Sequence, residues 1–165
     1  MRFLPLVLLL LSACRFGTDE PAQIEQPADT SSQTVPITFE GRGEAALVVP
    51  VFINGEGPFD FVLDTGATMT CVSEPLAEAL ELPPQRGAVG MGAGIGGSGQ
   101  VALVRLDSVR VGETLATDLG GCVLDLAHMG AVGLAVDGLL GLNFLRAFRV
   151  TLDFELDTVR FEAIN

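Results

Sequence analysis

The sequence predicts a largely β domain, a small closed barrel carrying short helices. Three observations point there. Phe59–Asp64 alternates, with Phe59, Phe61 and Leu63 on one side and Asp60, Val62 and Asp64 on the other. That period of two is a strand signature. Similar runs recur along the chain, separated by turn strings such as Asn54-Gly55-Glu56-Gly57. Helical signals are confined to two short stretches, Glu74–Glu81 and Asn143–Ala147.

Taken in order, Val35–Glu40 alternates and predicts a first strand. Ala46–Ile53 is a longer apolar strand, and Pro50 inside it indicates an edge or a bulge. The Asn54-Gly55 turn leads into the Phe59–Asp64 strand, and a second β-rich run follows through Val72. Ser73 can cap the helix over Glu74–Glu81, with Pro75 tolerated in the first turn and Pro83-Pro84 ending it. Val101–Val111 and Leu115–Leu126 supply further strands, and Ala127–Ala135 is a loop. Arg149–Asp153 and Thr158–Glu162 form a closing hairpin.

The Gly87–Gly99 tract holds seven glycines, and Gly92-Ala93-Gly94-Ile95-Gly96-Gly97 satisfies G-x-G-x-x-G. A dinucleotide site is rejected, because that fingerprint must follow a strand and open a helix. Here a Pro-Pro loop precedes it and a strand follows. A mobile β-hairpin and a disordered surface loop are both compatible with it. His128 is the only histidine and has no Cys or acidic cluster at ligand spacing, so no metal site and no cofactor are expected.

The chain has 165 residues, which suggests one domain, and 48% of them are hydrophobic, enough for a core. All nine basic residues are Arg, and the formal net charge is −12. Nucleic acid is excluded as a partner, since it needs a basic face. Met1-Arg2 followed by apolar Phe3–Leu11 reads as a signal sequence, too short to span as a mature transmembrane helix. It ends in Leu11-Ser12-Ala13-Cys14, which resembles a bacterial lipobox. The expectation is a signal peptide over residues 1–13 and a lipid on Cys14. Residues 14–34 would then form a flexible tether reaching roughly 25 Å, and 35–165 the folded domain. The lipid would hold the protein on a bacterial envelope membrane, facing the periplasm or the exterior.

The string Asp64-Thr65-Gly66-Ala67, after the apolar run Phe61-Val62-Leu63, resembles the catalytic motif of aspartic proteases, most closely the single-lobed retropepsin-like family. A second family element appears as Asp137-Gly138-Leu139-Leu140-Gly141-Leu142-Asn143-Phe144-Leu145. The family often has an acidic residue where this chain has Asn143; that position is expected to shape the helix start with little effect on chemistry. The resemblance implies one lobe of an aspartic protease, with Asp64, Thr65 and Gly66 catalytic. It implies a substrate-binding role for Ala67 and for a flap at Gly92, Ala93, Gly94 and Ile95.

Peptide hydrolysis by carboxylates needs two that share one proton. The chain holds a single Asp-Thr-Gly: Asp157-Thr158 runs into Val159, Asp118 into Leu119, and Asp137 directly into Gly138. A homodimer pairing Asp64 with its symmetry mate is the direct solution, with activity favouring acidic to mildly acidic pH. The expected substrate is a peptide or protein. A catalytically silent peptide-binding or assembly module on the same fold is the alternative, and a lipid-anchored structural protein a third reading. With Cys14 lipidated, Cys71 and Cys122 remain, and the envelope permits oxidation. In a fold of this family their strands run side by side near the cleft. A bridge would close a loop of about 50 residues, a stabilisation of roughly 4 kcal/mol; two buried thiols are the other possibility.

Overall fold

The computed structural model describes residues 23–25, 33–43, 46–85, 89–94 and 97–164. Its strands are β1 (Gln23–Glu25), β2 (Gln33–Pro36), β3 (Thr38–Glu40), β4 (Ala46–Ile53), β5 (Glu56–Leu63) and β6 (Thr70–Ser73). They continue with β7 (Val89–Gly94), β8 (Gly97–Val111), β9 (Thr114–Leu124), β10 (Gly138–Leu140), β11 (Phe148–Asp153) and β12 (Thr158–Ala163). The helices are α1 (Glu74–Ala79), a 3-10 turn over Ala127–Val132, and α2 (Leu142–Leu145).

Six strands close on themselves in the order β8, β9, β6, β10, β5, β4 and back to β8. This is the mainly β closed barrel with few helices that the sequence predicts. β10 lies parallel to β5 and β6 parallel to β9; the other four contacts of the ring are antiparallel. β1 adds to β9, β3 to β4, and β7 to β8. A second sheet runs β11, β12, β2.

Local sequence explains much of the ring. Asn54 and Gly55 both have positive φ, 52° and 86°, the turn that matches the twist of a two-residue hairpin. The Asn54 side chain also accepts the N–H of Ser108, and its own N–H donates to the Ser108 carbonyl. The hairpin is thereby stitched to β8. Pro50 lies inside a barrel strand rather than on an edge. Its partner Asp60 turns its N–H and C=O toward Asp137, away from β4. In an antiparallel ladder the opposite residue then also points its backbone outward. Pro50 therefore faces the gap where β3 has ended at Val48 and β8 begins at Phe52. No hydrogen bond is lost there, and the register shift comes just after, between Val51 and Ile53.

Several expectations are corrected. The Val35–Glu40 strand is two strands in two sheets, because the chain changes partners at Ile37, whose N–H donates to the Asp157 carbonyl. The segment expected as tether contains β1, and β2 starts at Gln33, ahead of the expected boundary at Val35. β9 pairs with β6 only from Gly121 onward, so its edge at Leu115–Thr117 is open, and β1 fills it. A ladder needs backbone groups alone, so a polar segment can supply them. Asp118, at φ 59°, separates the two paired stretches of β9. Helix α1 ends at Ala79, because Glu81 adopts a left-handed φ of 50°. Its cap is the one the sequence indicates, with Ser73 Oγ accepting the Leu76 N–H at 3.3 Å. The Ala127–Ala135 loop contains a 3-10 turn, which Gly133 ends at φ 78°. It seats Leu134 against Ala46 and Val48 on the outside of the barrel. Residues 1–22 lie outside the described residues, and with them the signal peptide and Cys14.

The barrel is filled by Val49, Val51, Ile53, Phe61, Val72, Leu106 and Leu140, all fully buried. Phe144 of α2 packs on Phe148 and Phe161, with ring centroids 5.3 and 6.1 Å away. These rings join the second sheet to the barrel floor. Phe144→Ala is expected to destabilise the domain by about 3–5 kcal/mol, read as a lowered urea midpoint at unchanged slope.

Candidate active site

Strand β5 delivers its last residues to a turn at Asp64-Thr65-Gly66. Asp64 still donates its N–H to the Leu140 carbonyl at 3.1 Å, so the ladder with β10 holds the carboxylate's backbone in place. The chain then folds back: the Ala67 N–H reaches the Asp64 carbonyl at 3.3 Å. The Gly66 N–H donates to Asp64 Oδ1 at 2.7 Å. A Cβ at position 66 would lie 3.1 Å from that oxygen, crowding the carboxylate that the glycine leaves free. Asp64 is half-buried, and Thr65 and Gly66 are exposed. The carboxylate thus sits on a fixed backbone at an accessible surface.

The return of the loop is held by β10 and α2. The carbonyls of Ala67 and Thr68 accept the N–H groups of Leu142 and Asn143 at 2.8 and 3.1 Å. Glycine is required at two positions of Gly138-Leu139-Leu140-Gly141. A Cβ at Gly138 would overlap the Phe61 ring, and one at Gly141 the Met69 carbonyl. Asp137 sets the start of β10: its Oδ2 accepts the Asp60 N–H at 3.0 Å, and its carbonyl accepts the Ser73 N–H at 2.7 Å.

Asn143 does more than shape a helix start. Its Oδ1 accepts both the N–H and the Oγ1 hydroxyl of Thr70, at 2.8 and 3.0 Å. Its Nδ2 donates to the Gly120 carbonyl at 2.7 Å. Thr70 Oγ1 in turn accepts the Gly141 N–H at 3.2 Å. The amide spans α2, β6 and β9 and locks the strand that leaves the Asp64 loop. The sequence carried a signal for this, a Thr six residues past Asp64 and an amide in the second element. Only the fold brings the two together across 73 residues.

The other predicted site residues fall as follows. Ala67 lies in the Asp64 turn and is half-buried. Gly92, Ala93 and Gly94 lie in β7, opposite Gly99, Ser98 and Gly97 of β8. Ile95 is outside the described residues. β9 follows β8 only from Ala102 onward, so the glycine hairpin extends past the barrel wall. Cys71 and Cys122 face each other in register on β6 and β9 and are joined by a disulfide, with Cα atoms 4.4 Å apart. His128 lies exposed in the 3-10 turn. Among the described residues no cluster of His, Cys, Asp or Glu is arranged to hold a metal.

Comparison with known proteins matches residues 49–144, more than half of the chain, to the family model described as aspartyl protease. The chain belongs to the aspartyl protease family. The matched span begins inside β4, contains the Asp64 motif and all but the last residue of the second element, and ends in α2. Among solved structures, a retropepsin-like aspartic protease from Rickettsia conorii superposes with a TM-score of 0.51 at 21% identity. The match covers 81% of this chain and 94% of that one, and it establishes a common single-lobed fold. No curated protein matches. The chain is accordingly a hydrolase of the aspartic protease kind.

Asn143→Asp keeps the acceptor for Thr70 and removes the donor to Gly120. Asn143→Ala leaves the buried Thr70 hydroxyl and N–H without that partner. The alanine variant is expected to lose about 1–3 kcal/mol of stability and the aspartate variant less, measured side by side by urea denaturation.

Proposed function

We propose that this chain is an aspartic endopeptidase that works as a homodimer, with Asp64 of each subunit supplying one of two catalytic carboxylates. The observation that carries this is the presentation of Asp64. Its carboxylate stands half-exposed on a backbone fixed by β10, and each chain has one Asp-Thr-Gly to offer. A two-fold axis beside the exposed Thr65-Gly66 turn brings the second carboxylate opposite the first.

Two carboxyls in contact hold one proton between them. The ionised one takes a proton from water, and that water attacks the peptide carbonyl carbon. The protonated one donates to the carbonyl oxygen, giving a neutral tetrahedral diol. Collapse returns a proton to the leaving nitrogen, breaks the C–N bond and restores the shared proton. Thr65 holds the two loops against each other, and Gly66 leaves room for substrate backbone. The β7–β8 hairpin, with Gly92, Ala93 and Gly94, closes over the peptide and excludes water. No metal or cofactor takes part in this scheme. The enzyme is held by lipid on Cys14 at a bacterial envelope membrane, facing the periplasm or exterior.

Asp64→Asn is expected to lower kcat/KM on a mixed peptide library by at least about 10⁴-fold while the variant stays folded and dimeric. Wild-type specific activity should fall on dilution through the dimer dissociation range. Full activity in the variant, or a concentration-independent rate from a verified monomer, would refute the scheme. A folded wild-type dimer that binds peptides without cleaving any would favour the silent binding module.

The anchor has its own test. Mass spectrometry of the mature protein should find Cys14 at the N-terminus carrying acyl chains. An unmodified terminus at another residue removes the membrane from the scheme.

A further inference from the structure

We infer that the free edge of β11 is the surface that receives a second copy of this chain, the two β11 strands pairing antiparallel about a two-fold axis at Thr151. The inference rests on the homodimer reading above and deepens it by naming the surface that joins the subunits.

The sheet β11-β12-β2 has two edges, and they differ. The Ile37 N–H donates to the Asp157 carbonyl at 2.9 Å, one step beyond the opposed pair Pro36 and Thr158. Bonds that flank a pair mean that the pair itself turns its backbone groups away from each other. Pro36 therefore faces outward from the β2 edge, and it has no N–H to offer, which blunts that edge. Thr158 turns its groups to β11, where it opposes Asp153. Alternation along β11 then points Arg149, Thr151 and Asp153 at β12, and leaves the N–H and C=O groups of Val150 and Leu152 directed outward. Among the described residues β11 pairs with β12 alone. Its sequence, Phe-Arg-Val-Thr-Leu-Asp, contains no Pro, Gly or Lys to discourage pairing. Val150 and Leu152 pack against the core yet stay only half-buried.

The occupant follows from the order of charges. In an antiparallel pair centred on Thr151, Arg149 of each copy lies opposite Asp153 of the other, so the two-fold makes two opposite-charge pairs. Asp153 uses Oδ1 to accept the N–H groups of Glu155 and Leu156, which leaves Oδ2 for the guanidinium. Val150 meets Leu152 twice, and their outward backbone groups bond each other. Phe154, 65% exposed just past Asp153, is carried toward the start of the second copy's β11. The result is one six-stranded sheet with β2 at both ends. The edge also lies close to the catalytic turn. Leu142 and Asn143 of α2 donate to the Asp64 loop, and only Arg146 and Ala147 separate α2 from β11. A closed dimer has a single axis, so the axis that pairs β11 is the one that brings the two Asp64 carboxylates together.

The test places one thiol at a time on the exposed face of the strand in the full chain, as Arg149→Cys, Thr151→Cys or Asp153→Cys, beside wild type. The two copies of residue 151 form a pair without mutual hydrogen bonds, with Cα atoms about 4.5 Å apart, within the range a disulfide spans. The two copies of 149, or of 153, stand four positions apart along the strands, roughly 13 Å. Mild oxidation should therefore link Thr151→Cys into a dimer of doubled mass on a non-reducing gel and leave the other variants and wild type unlinked. The linked protein should keep its specific activity on dilutions at which wild type loses its own. A wild type that sediments as a dimer while Thr151→Cys stays unlinked, or links no better than the other two, overturns the inference and leaves the endopeptidase reading standing. A linked dimer that loses cleavage shown by the unlinked variant also overturns it. A wild type that cleaves as a monomer at every concentration removes the homodimer reading, and the inference with it.

Discussion

The structure turns on a three-residue strand. β10 enters between β5 and β6, parallel to one and antiparallel to the other. Those two strands carry the chain into and out of the Asp64 turn. Without β10 they would be free edges of a broken ring, and the Asp64 N–H would lose the Leu140 carbonyl. The insertion is tight: glycine at 138 and 141 is the condition for the strand to fit against Phe61 and Met69. The fit also explains why both ends of β10 are fastened. Asp137 binds the start of the strand to Asp60 and Ser73, and α2 fastens its exit to Ala67 and Thr68. A short strand makes few ladder bonds, so its position must come from such ties.

What the sequence made legible was what is local. The Asn54-Gly55 turn, the alternation of β4 and β5, and the Ser73 cap each depend on residues within one or two turns of themselves. So does the Asp64 turn, in which the Gly66 N–H meets a carboxylate two residues away. The β2–β3 break was not legible, because Val35–Glu40 alternates without interruption. The chain changes sheets there only because Asp157, more than a hundred residues on, offers a carbonyl to Ile37. β1 escaped for a related reason. It has few apolar residues, and what it answers is an open length of β9 created by the point at which β6 starts to pair.

Asn143 is the instructive miss at the site. Judged by its place in the second element, it belongs to a helix start. Yet Gly141 occupies the cap position, with no side-chain cap bond, and the amide turns to Thr70 and Gly120 instead. An amide is suited to this post because it accepts and donates at once. A carboxylate could satisfy Thr70 and would leave the Gly120 carbonyl unmet. The departure from the family's frequent acidic residue is thus matched by a backbone acceptor in reach of this side chain.

Thr70 and Cys71 are neighbours on β6, and neighbours on a strand point to opposite faces. Thr70 faces inward, fully buried, and is tied through Asn143 to α2 and β9. Cys71 faces outward and is tied to β9 by the disulfide. A four-residue strand is therefore gripped from both faces, by a hydrogen-bond network on one and a covalent bond on the other. The grip lies where the Asp64 turn rejoins the barrel. In the proposed dimer a carboxylate that meets a second one across a two-fold axis tolerates little wander, and an exposed turn cannot supply that precision by itself. Rigid supports on its flanks can, since they fix both ends of the turn while leaving its tip open to substrate.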